Sequence, residues 1–501
     1  MTTGASNVTA AAAIVLVALV ADDPAVLRNA PRDDAPAQAT LWRGDWLEVR
    51  GETAGFLRVY DHRHERPGYI RPTIVRVHKL EAASTPELVA VVRFLRDAGG
   101  SESLGIGYAA LALRAAPAGA DTTEILAAIG TMADRLARRA SAMRADGKNA
   151  TLTAHIEVAE SYGVKFTSVD VAATGNGLGA GAPRTRLCYD GEAWEGVLAA
   201  RTTAPIERAR AALFVAGRRC EDRGTLALAP VEARAWNDRR IQALQSIEYP
   251  VESALQPAVL GRLRLRRAEA FAWRAFDEAR RGNLEPAARA EAAAVRELAL
   301  TDRGVLAPED ADLYEDVAVR VAASRWATEA EQKPSGKRGV DVAFAPRDEG
   351  ETCVRIVQTT VAGRTRTLGE RCTYGLVWKN ALRWAPSGSV ATIAVQPLAA
   401  WTEVWVLRRA GEGAWSIETL TPATADPDNA VGYVEAAGFS PDGAHLLVVR
   451  EARAGAQVTR RFQVVGATTL VVEKWAAHVD KLGAFKRWSA PSWRAGTLAL
   501  R

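Results

Sequence analysis

Alternation of apolar and polar residues near the N-terminus is the feature that most constrains the fold. Leu47 and Val49 alternate with polar neighbours, and Leu57 and Val59 repeat the pattern ten residues later. A period of two is typical of a strand with one buried face, because successive side chains point to opposite sides of a sheet. Gly51 marks a turn between the two runs. The segment therefore predicts a small antiparallel β domain.

Short motifs in residues 22–80 resemble, in order and spacing, those of a bacterial SH3-like domain. The matching residues are Val26, Leu27, Arg28, Ala30 and Pro31, then Leu41, Arg43, Gly44, Leu47 and Val49, then Gly55 to Val59, and finally Gly68, Tyr69 and Ile70. The resemblance covers about a ninth of the chain. It implies a small β-barrel and a ligand drawn from peptide or cell-wall material.

Four aromatic residues of this segment fall outside the set of inward positions. They are Trp42, Trp46, Phe56 and Tyr60. Aromatic clusters outside a core often mark a recognition surface. We expect these four side chains to form a face that binds a short peptide or a peptidoglycan stem peptide. The alternative is that they cover the barrel or pack against the next domain.

An apolar run, Ala10 to Ala21, precedes the β domain. It is shorter than the roughly 20 residues that span a bilayer, so we expect no stable membrane span. Its length suits a signal peptide over residues 1–21, with Leu19-Val20-Ala21 as the cleavage site and a periplasmic or secreted location. No Lys or Arg precedes the run. The alternative is that it forms the first strand of the β domain.

The cysteines favour an oxidising compartment. Cys188 and Cys220 form one neighbouring pair, and Cys353 and Cys372 form the other. An even count without metal-site spacing predicts two local disulfides. Four buried free thiols in a cytosolic protein would be the alternative.

Residues 85–330 are predicted to be mainly helical, with a mixed segment at 150–200. The expected helices begin near Thr85 and then cover Leu104–Ala115, Thr122–Met143, Ile206–Ala216, Glu232–Ser246, Leu260–Arg281, Pro286–Leu300 and Pro308–Ala330. The stretch Leu263–Glu297 has the size of one tetratricopeptide-type hairpin. In the mixed segment, His155 to Ala172 has a strand pattern, and the glycine-rich stretch 175–183 is interpreted as a flexible loop.

A polar linker at 331–339 leads to a β-rich region at 340–501. Four segments there resemble one another, beginning at Phe344, Trp384, Phe439 and Trp488 with spacings of 40, 55 and 49 residues. An aromatic residue, a Pro-x-Gly turn and an apolar run predict repeated hairpins. The segments are similar to the repeats of TolB-type β-propellers, whose closed rings usually have at least four blades.

Only about three units fit in this region. Either helical segments complete the ring, or the region is an open stack of antiparallel sheets. Five tryptophans in this region are expected to fill its core: Trp378, Trp384, Trp401, Trp405 and Trp415.

Catalytic and metal-binding signals are weak. His62 and His64 alternate as two ligands on one strand would, but flanking arginines oppose a cation there. Motifs of nucleophilic and zinc hydrolases are absent from the sequence. The net charge of +5 is dispersed, which argues against a nucleic-acid partner. We expect neither a metal nor a cofactor.

The fold class predicted is multidomain α+β: an N-terminal SH3-like barrel, a central helical domain and a C-terminal domain of propeller-like repeats. The leading hypothesis is a non-enzymatic exported envelope protein that binds peptide or wall material and has protein partners. One alternative is a wall hydrolase whose site uses carboxylates of the mixed segment, namely Glu157, Glu160, Asp170 or Asp190. The other is a cytosolic interaction scaffold.

Overall fold

The structure is a computed structural model that describes residues 15–143, 150–171, 184–217, 230–329, 339–347, 350–360, 363–411, 414–422, 430–454 and 457–496. The chain divides into two compact units, Met1–Ala229 with Ser246–Ala254 and Pro230–Gln245 with Leu255–Arg501. An N-terminal antiparallel sheet and helices form the first unit, and helices and C-terminal antiparallel sheets form the second. The mixed α+β class is therefore confirmed.

Seven strands form the N-terminal sheet. They are β1 Leu16–Val20, β2 Ala25–Arg28, β3 Ala37–Leu41, β4 Trp46–Thr53, β5 Phe56–Asp61, β6 Arg66–Ile70 and β7 Val75–Lys79. The strand order is β3-β2-β6-β5-β4-β1-β7, and all neighbouring pairs are antiparallel. Leu47 of β4 and Val59 of β5 are fully buried in one core, as the alternation predicts.

The strand β1 consists of residues that the sequence analysis assigned to the end of a signal peptide. It pairs with β4 on one side and with β7 on the other. Its residues from Val17 to Val20 are at most 1% exposed. Val17 and Leu19 belong to the helical core, whereas Ala18 and Val20 belong to the core of the sheet. Cleavage after Ala21 would remove this strand, which is the sixth of the seven in the sheet order. Residues 16–20 therefore form a strand of the β domain, as the alternative expected. Residues 1–14 lie outside the described part.

In the described part of the first unit, six helices and one antiparallel strand pair follow the sheet. They are α1 Thr85–Arg96, α2 Glu102–Ala115, α3 Thr123–Met143, α4 Ala150–Ser161, β8 Phe166–Val171, β9 Arg184–Tyr189, α5 Glu192–Ala199 and α6 Pro205–Val215. Short 3₁₀ turns lie at Pro72–Ile74, Ala82–Ser84 and Tyr249–Ala254. The glycine-rich stretch 175–183 lies outside the described residues.

The segment predicted to be strand from His155 is partly helical. Leu152, His155 and Val158 are buried at a spacing of three residues, which is the period of a helix face. The strand pattern begins only at Phe166, in β8. Sequence reasoning also missed α5, whose single buried face consists of Ala193, Trp194 and Val197.

Four long helices begin the second unit: α7 Pro230–Gln245, α8 Pro257–Arg280, α9 Leu284–Ala299 and α10 Pro308–Ser324. The 3₁₀ turns Arg303–Val305 and Arg325–Ala327 flank α10. The predicted helical hairpin is present, because α8 and α9 pack together and are joined through Gly282 in a left-handed conformation, with φ of 81°. The predicted linker, 331–339, lies outside the described residues except for Gly339.

Eleven strands and two short helices follow. The strands are β10 Asp341–Pro346, β11 Thr352–Thr359, β12 Thr365–Thr373, β13 Leu376–Trp384, β14 Val390–Leu398, β15 Trp401–Arg409, β16 Trp415–Leu420, β17 Ala430–Phe439, β18 His445–Ala454, β19 Gln457–Gly466 and β20 Val472–Ala476. After a 3₁₀ turn at Val479–Lys481, the helices are α11 Gly483–Trp488 and α12 Pro491–Gly496.

These strands form three successive antiparallel groups that stack through shared cores. The group β10–β12 shares a core with β13–β16 that contains Ile356 and Ile393. The group β13–β16 shares a second core with β17–β20 that contains Val406 and Val448. The last group packs its remaining face, including Phe462, against α11 and α12. A single parallel pair, between β15 and β17, links the two larger groups.

Antiparallel strand pairs occur at three of the four predicted segments. The segment at Phe344 lies in β10, which pairs with β11 and is followed by Gly350 at φ of 83°. Trp384 leads from β13 into a turn with Gly388 at φ of 67°, and Phe439 leads from β17 into a turn with Gly443 at φ of 73°. The segment at Trp488 does not begin a strand. It joins α11 to α12, because Pro491 is well suited to the first position of a helix. Helices, rather than a fourth hairpin, therefore cover the last sheet.

The tryptophans of this region mainly fill its core, as predicted. Trp378, Trp401, Trp405 and Trp415 are buried, and Trp384 is half-buried. Within the described residues, no helix combines the length and the apolar character needed to cross a bilayer.

The buried strand β1 gives a first prediction. Leu19→Ala should lower the free energy of unfolding of the first unit by about 2–5 kcal/mol, because it leaves a cavity between sheet and helices. Leu16→Ala, in the same strand but at a side chain that is 36% exposed, should cost less than about 1 kcal/mol. Urea denaturation followed by circular dichroism measures both. Equal costs would show that β1 is not a core strand.

Glu291 of α9 gives a second prediction. Its carboxyl group is fully buried and accepts a hydrogen bond of 2.5 Å from Oγ of Ser324. Burial raises the pKa of Glu291 from 4.5 to about 8, against the opposing effects of Ser324 and Arg325. As pH rises, the Glu291 carboxyl group therefore loses its proton in the unfolded chain before it does so in the folded chain. The free energy of unfolding should decrease as pH rises from 4.5 to about 8.

Glu291→Gln keeps the shape and has no proton to lose. The difference in melting temperature, variant minus wild type, should be larger at pH 8 than at pH 5. Scanning calorimetry measures this difference. Glu285→Gln, at an exposed position on the same helix, should show no such difference between the two pH values. A pH-independent effect of Glu291→Gln would mean that the carboxylate is already ionised at pH 5.

Candidate binding site on the N-terminal sheet

The four aromatic residues predicted to form one face are not together. Phe56 is 2% exposed, and the guanidinium of Arg71 lies 3.9 Å from its ring centroid. Phe56 is therefore an interior residue and cannot belong to an exposed face. Trp42 is half-buried in the turn before β4, where its backbone N–H donates to Oδ2 of Asp45 at 2.8 Å. Trp46 and Tyr60 are the two that converge.

The strand register brings Trp46 and Tyr60 to one side. In the β4–β5 pair, Glu48 lies opposite Tyr60. Because alternate residues share a face and the strands are antiparallel, Trp46 then comes opposite His62. The rings of Trp46 and His62 are stacked, with centroids 5.3 Å apart and planes 12° apart. Tyr60 meets the same imidazole edge-on, at 4.8 Å.

Charged groups surround these three rings. The guanidinium of Arg50 lies 4.0 Å from the centroid of Tyr60, and that of Arg114, on α2, lies 5.0 Å from the centroid of Trp46. Oε2 of Glu48 lies 2.6 Å from Nε2 of His62 and 3.1 Å from Nη2 of Arg50. We call these six residues the Trp46 patch: Trp46, Glu48, Arg50, Tyr60, His62 and Arg114.

Glu48 links Arg50 and His62 within the patch. Hydrogen bonds from Arg50 and then His62 lower the pKa of Glu48. The same carboxylate contacts the imidazole that stacks on the indole of Trp46. The patch combines two aromatic rings, each with a guanidinium group over it, and the guanidinium of Arg50 is also paired with Glu48. It can contact planar groups at the exposed parts of the rings and can pair with a carboxylate.

The turn before Trp46 is fixed to the helices behind it. Oη of Tyr162 donates a hydrogen bond of 2.6 Å to the carbonyl of Gly44. Gly44 has φ of 98°, and a Cβ atom there would lie 2.5 Å from the carbonyl oxygen of Ser103. Only glycine permits this approach. Burial raises the pKa values of Tyr162 and of Asp45, which accepts the Trp42 N–H in the same turn.

The hairpin tip that follows His62 is organised by Asp61. Its Oδ1 accepts the backbone N–H groups of Arg63 and His64, at 3.1 and 3.2 Å. Its Oδ2 lies 2.8 Å from Nδ1 of His64 and 3.2 Å from Nε of Arg66. His62 bonds to Glu48 instead, so the two histidines turn to different partners. The two-histidine metal site considered from sequence does not form in this arrangement.

The carboxylates of the hydrolase alternative have separate surroundings. Glu157 and Glu160 are exposed on α4, and Oε2 of Glu157 lies 3.7 Å from Arg63. Asp190 accepts the backbone N–H of Glu192 at the start of α5, at 3.2 Å. The side chain of Asp170 lies outside the described part of the chain.

The second predicted disulfide is present. Cys353 and Cys372 lie opposite each other in the β11–β12 pair, and their sulfur atoms are bonded. Their proximity to Glu351 does not make a metal site, because the disulfide occupies both thiols. Cys188 is also disulfide-bonded. Its expected partner, Cys220, lies outside the described residues.

The predicted aromatic face did not include four members of the patch: Glu48, Arg50, His62 and Arg114. The alternation of residues 46, 48 and 50 with 60 and 62 could have placed Arg50 and His62 beside the two aromatic rings. Arg114 carries no such signal, because it reaches the patch from a helix more than fifty residues away in sequence.

Comparisons of the chain with protein-family models, curated proteins and solved structures give no match.

The Asp61 network gives a third prediction. Hydrogen bonds from His64 and Arg66 outweigh burial and lower the pKa of Asp61. Asp61→Asn should therefore cost about 1–3 kcal/mol of unfolding free energy at pH 7, because charge-assisted bonds are lost. A group with a lowered pKa stabilises the fold above its ordinary value of 3.8, so this cost should shrink as pH falls below that value.

Urea denaturation at pH 7 and at pH 3 measures this difference. The matched variant is Asp34→Asn, whose side chain is 79% exposed and has only a surface ion pair with Arg32. It should change stability by less than about 0.5 kcal/mol at either pH. A cost for Asp61→Asn that is the same at both pH values would contradict the ionic origin of the effect.

Proposed function

We propose that this chain is a non-enzymatic binding protein whose N-terminal sheet holds short peptides, in particular peptidoglycan stem peptides, on the Trp46 patch. The observation that carries the proposal is the stack of Trp46 on His62 with Tyr60 edge-on beside it. Trp46 and Tyr60 are half-buried and His62 is exposed, so part of the ring cluster remains accessible, while Trp46 packs against the helical core as the alternative expected. Rigid aromatic anchors of this kind dominate many recognition surfaces.

The chemistry of a stem peptide suits the patch. Planar amide groups stack on the indole and phenol faces. Free carboxylates pair with Arg114 and Arg50, and an ammonium group pairs with Glu48. Because Glu48 and Arg50 already share an ion pair, the remaining positive charge of the patch comes from Arg114, which favours a ligand with a free carboxylate.

The SH3-like resemblance supports the same proposal. The motif residues lie in order on the turns and strands from β2 to β6. The motif glycine Gly68 lies in β6, where a Cβ atom would be only 2.5 Å from the side chain of Leu27. We interpret the N-terminal sheet as an SH3-like barrel. In this interpretation the patch lies on β4, β5 and the hairpin tip after β5, and Arg114 reaches it from α2.

We propose that the second unit is a platform for protein partners. In each four-stranded group, β13–β16 and β17–β20, the first strand ends in an aromatic residue, and a Pro-x-Gly turn leads from it to the second strand. This regularity supports propeller-like repeats. Stacked groups with shared cores form a stiff support, because packed sheets resist shear through interlocking side chains.

An exported location is part of the proposal and rests on the disulfides. The Cys353–Cys372 bond closes a separation of 19 residues, which corresponds to about 3 kcal/mol on the chain-entropy account. Structural disulfides persist in oxidising compartments such as the periplasm. Cleavage after Ala21 is not part of the proposal, because β1 is needed by the sheet.

Co-sedimentation with purified peptidoglycan sacculi tests the proposed binding. The full chain should sediment with sacculi, and a synthetic stem peptide should compete. Trp46→Ala and Tyr60→Ala should each weaken the affinity roughly tenfold, which is typical of an aromatic anchor.

Trp475→Ala is the matched control, since Trp475 is a tryptophan of the second unit that is 60% exposed and also lies under an arginine. It should leave the affinity unchanged. Circular dichroism must show that all three variants are folded. The proposal fails if the wild type stays in the supernatant, or if Trp475→Ala weakens binding as much as Trp46→Ala.

A further inference from the structure

Two arginines lie directly opposite each other in the last sheet of the second unit. Arg450 of β18 and Arg461 of β19 are cross-strand partners in the antiparallel register. Side chains at opposite positions share one face of the sheet, and their Cβ atoms are about 4.5–5.5 Å apart. Among the strand pairs of the described residues, no other register position brings two arginine or lysine side chains together. Like charges in this arrangement are unfavourable unless an anion lies near them.

The positive charges of this pair have no counter-charge in the described part of the chain. Nη1 of Arg450 donates to the carbonyl of Thr421 at 2.9 Å, which is a neutral partner. The guanidinium of Arg461 lies 5.2 Å from the ring centroid of Trp475. Within the described residues, neither arginine forms an ion pair with Asp or Glu. Burial, and then the charge of Arg461, lower the pKa of Arg450.

Strand alternation keeps the nearby carboxylates away from the pair. Glu451 follows Arg450 in β18, and Glu435 follows the β17 partner of Arg450, so both lie on the other face. On that face Glu451 pairs with Arg460 at 2.8 Å. Glu435 pairs there with Arg325 at 2.9 Å. Both carboxylates are therefore already bound by other arginines.

The pair lies at the rim of the core that β13–β16 and β17–β20 share. Val448 precedes Arg450 by two residues on the same face and is fully buried in that core. Arg450 is half-buried, and Arg461 is exposed. Trp475, beside Arg461, is 60% exposed. A small anion can therefore approach the two guanidinium groups from solvent.

We propose that the Arg450–Arg461 pair binds a phosphate monoester in its dianionic form. Such a group carries about −1.5 to −2 charges at pH 7 and has three acceptor oxygens, which matches two guanidinium groups in charge and in donors. A carboxylate carries one negative charge and leaves the second guanidinium uncompensated. The site is independent of the Trp46 patch, because a stem peptide carries no phosphate group.

Isothermal titration calorimetry on the full chain at low ionic strength tests the proposal, with glycerol 3-phosphate as the soluble probe. The wild type should bind it with a dissociation constant of about 1 mM or lower. Arg450→Gln and Arg461→Gln should each weaken the affinity by about tenfold or more. Acetate should bind more weakly than the phosphate ester. Because Arg461 is exposed, its variant keeps the test valid even if Arg450→Gln does not fold.

The pH dependence separates a site for dianions from a site for any anion. The second pKa of a phosphate monoester is about 6, so its affinity should be lower at pH 5 than at pH 7.5. Sulfate is a dianion at both pH values and should show no such difference. Equal affinity of glycerol 3-phosphate at both pH values would overturn the assignment to the dianion.

Arg371→Gln is the matched control. Arg371 also lies beside an indole, 5.1 Å from the ring centroid of Trp405, and its Nη1 donates to the carbonyl of Ile417 at 3.4 Å. Its cross-strand partner, however, is Val354, so it has no second guanidinium beside it. This variant should leave the affinity unchanged. The proposal is overturned if Arg371→Gln weakens binding as much as Arg461→Gln does.

Vesicles identify the source of the phosphate group. Sedimentation of the wild type with phosphatidylcholine vesicles that contain phosphatidic acid, but not with phosphatidylcholine alone, would support a lipid headgroup if Arg461→Gln abolishes it. Binding of glycerol 3-phosphate without sedimentation would support a soluble ester. Binding of neither probe overturns the proposal and leaves the Trp46 patch unaffected.

Discussion

The burial of β1 on both faces is the constraint on which the first unit depends. Val17 and Leu19 pack into the helical core, and Ala18 and Val20 pack into the sheet. A strand buried on both faces has no polar side and therefore appears in the sequence as a continuous apolar run. The same strand supplies hydrogen bonds to β4, which carries Trp46 and Glu48. The geometry of the patch is thus linked to the packing of the interior.

In the second unit a buried charge has the comparable role. Glu435 is fully buried, and its pairing with Arg325 joins β17 to the turn after α10. Removing one member of such a pair leaves an uncompensated charge and is strongly destabilising. Arg325 also lies 3.9 Å from the centroid of the Trp326 ring. The same guanidinium therefore contacts a strand of the sheet through Glu435 and an aromatic ring of the turn after α10.

The sequence predicts most of this fold where one periodicity dominates. The alternation at Leu47 to Val59 and the helical spacing from Leu260 to Leu300 correspond to the observed strands and helices. Prediction from the sequence fails where one pattern is typical of two different structures. An apolar run such as Leu16–Val20 suits both a signal peptide and a strand buried on both faces, and only its tertiary partners distinguish them. The Trp488 segment resembles a hairpin turn, yet Pro491 begins a helix there.

Prediction of the candidate sites is more limited for a physical reason. Trp46 and Tyr60 could be predicted because a strand pair fixes which residues face each other. Phe56 could not be excluded, because its burial depends on how the start of β5 turns inward. Contacts between distant elements could not be predicted at all. Arg325, in the turn after α10, pairs with Glu435 of β17, and no local pattern connects the two residues. A site built on such contacts becomes visible only when the partners of each buried polar group are known.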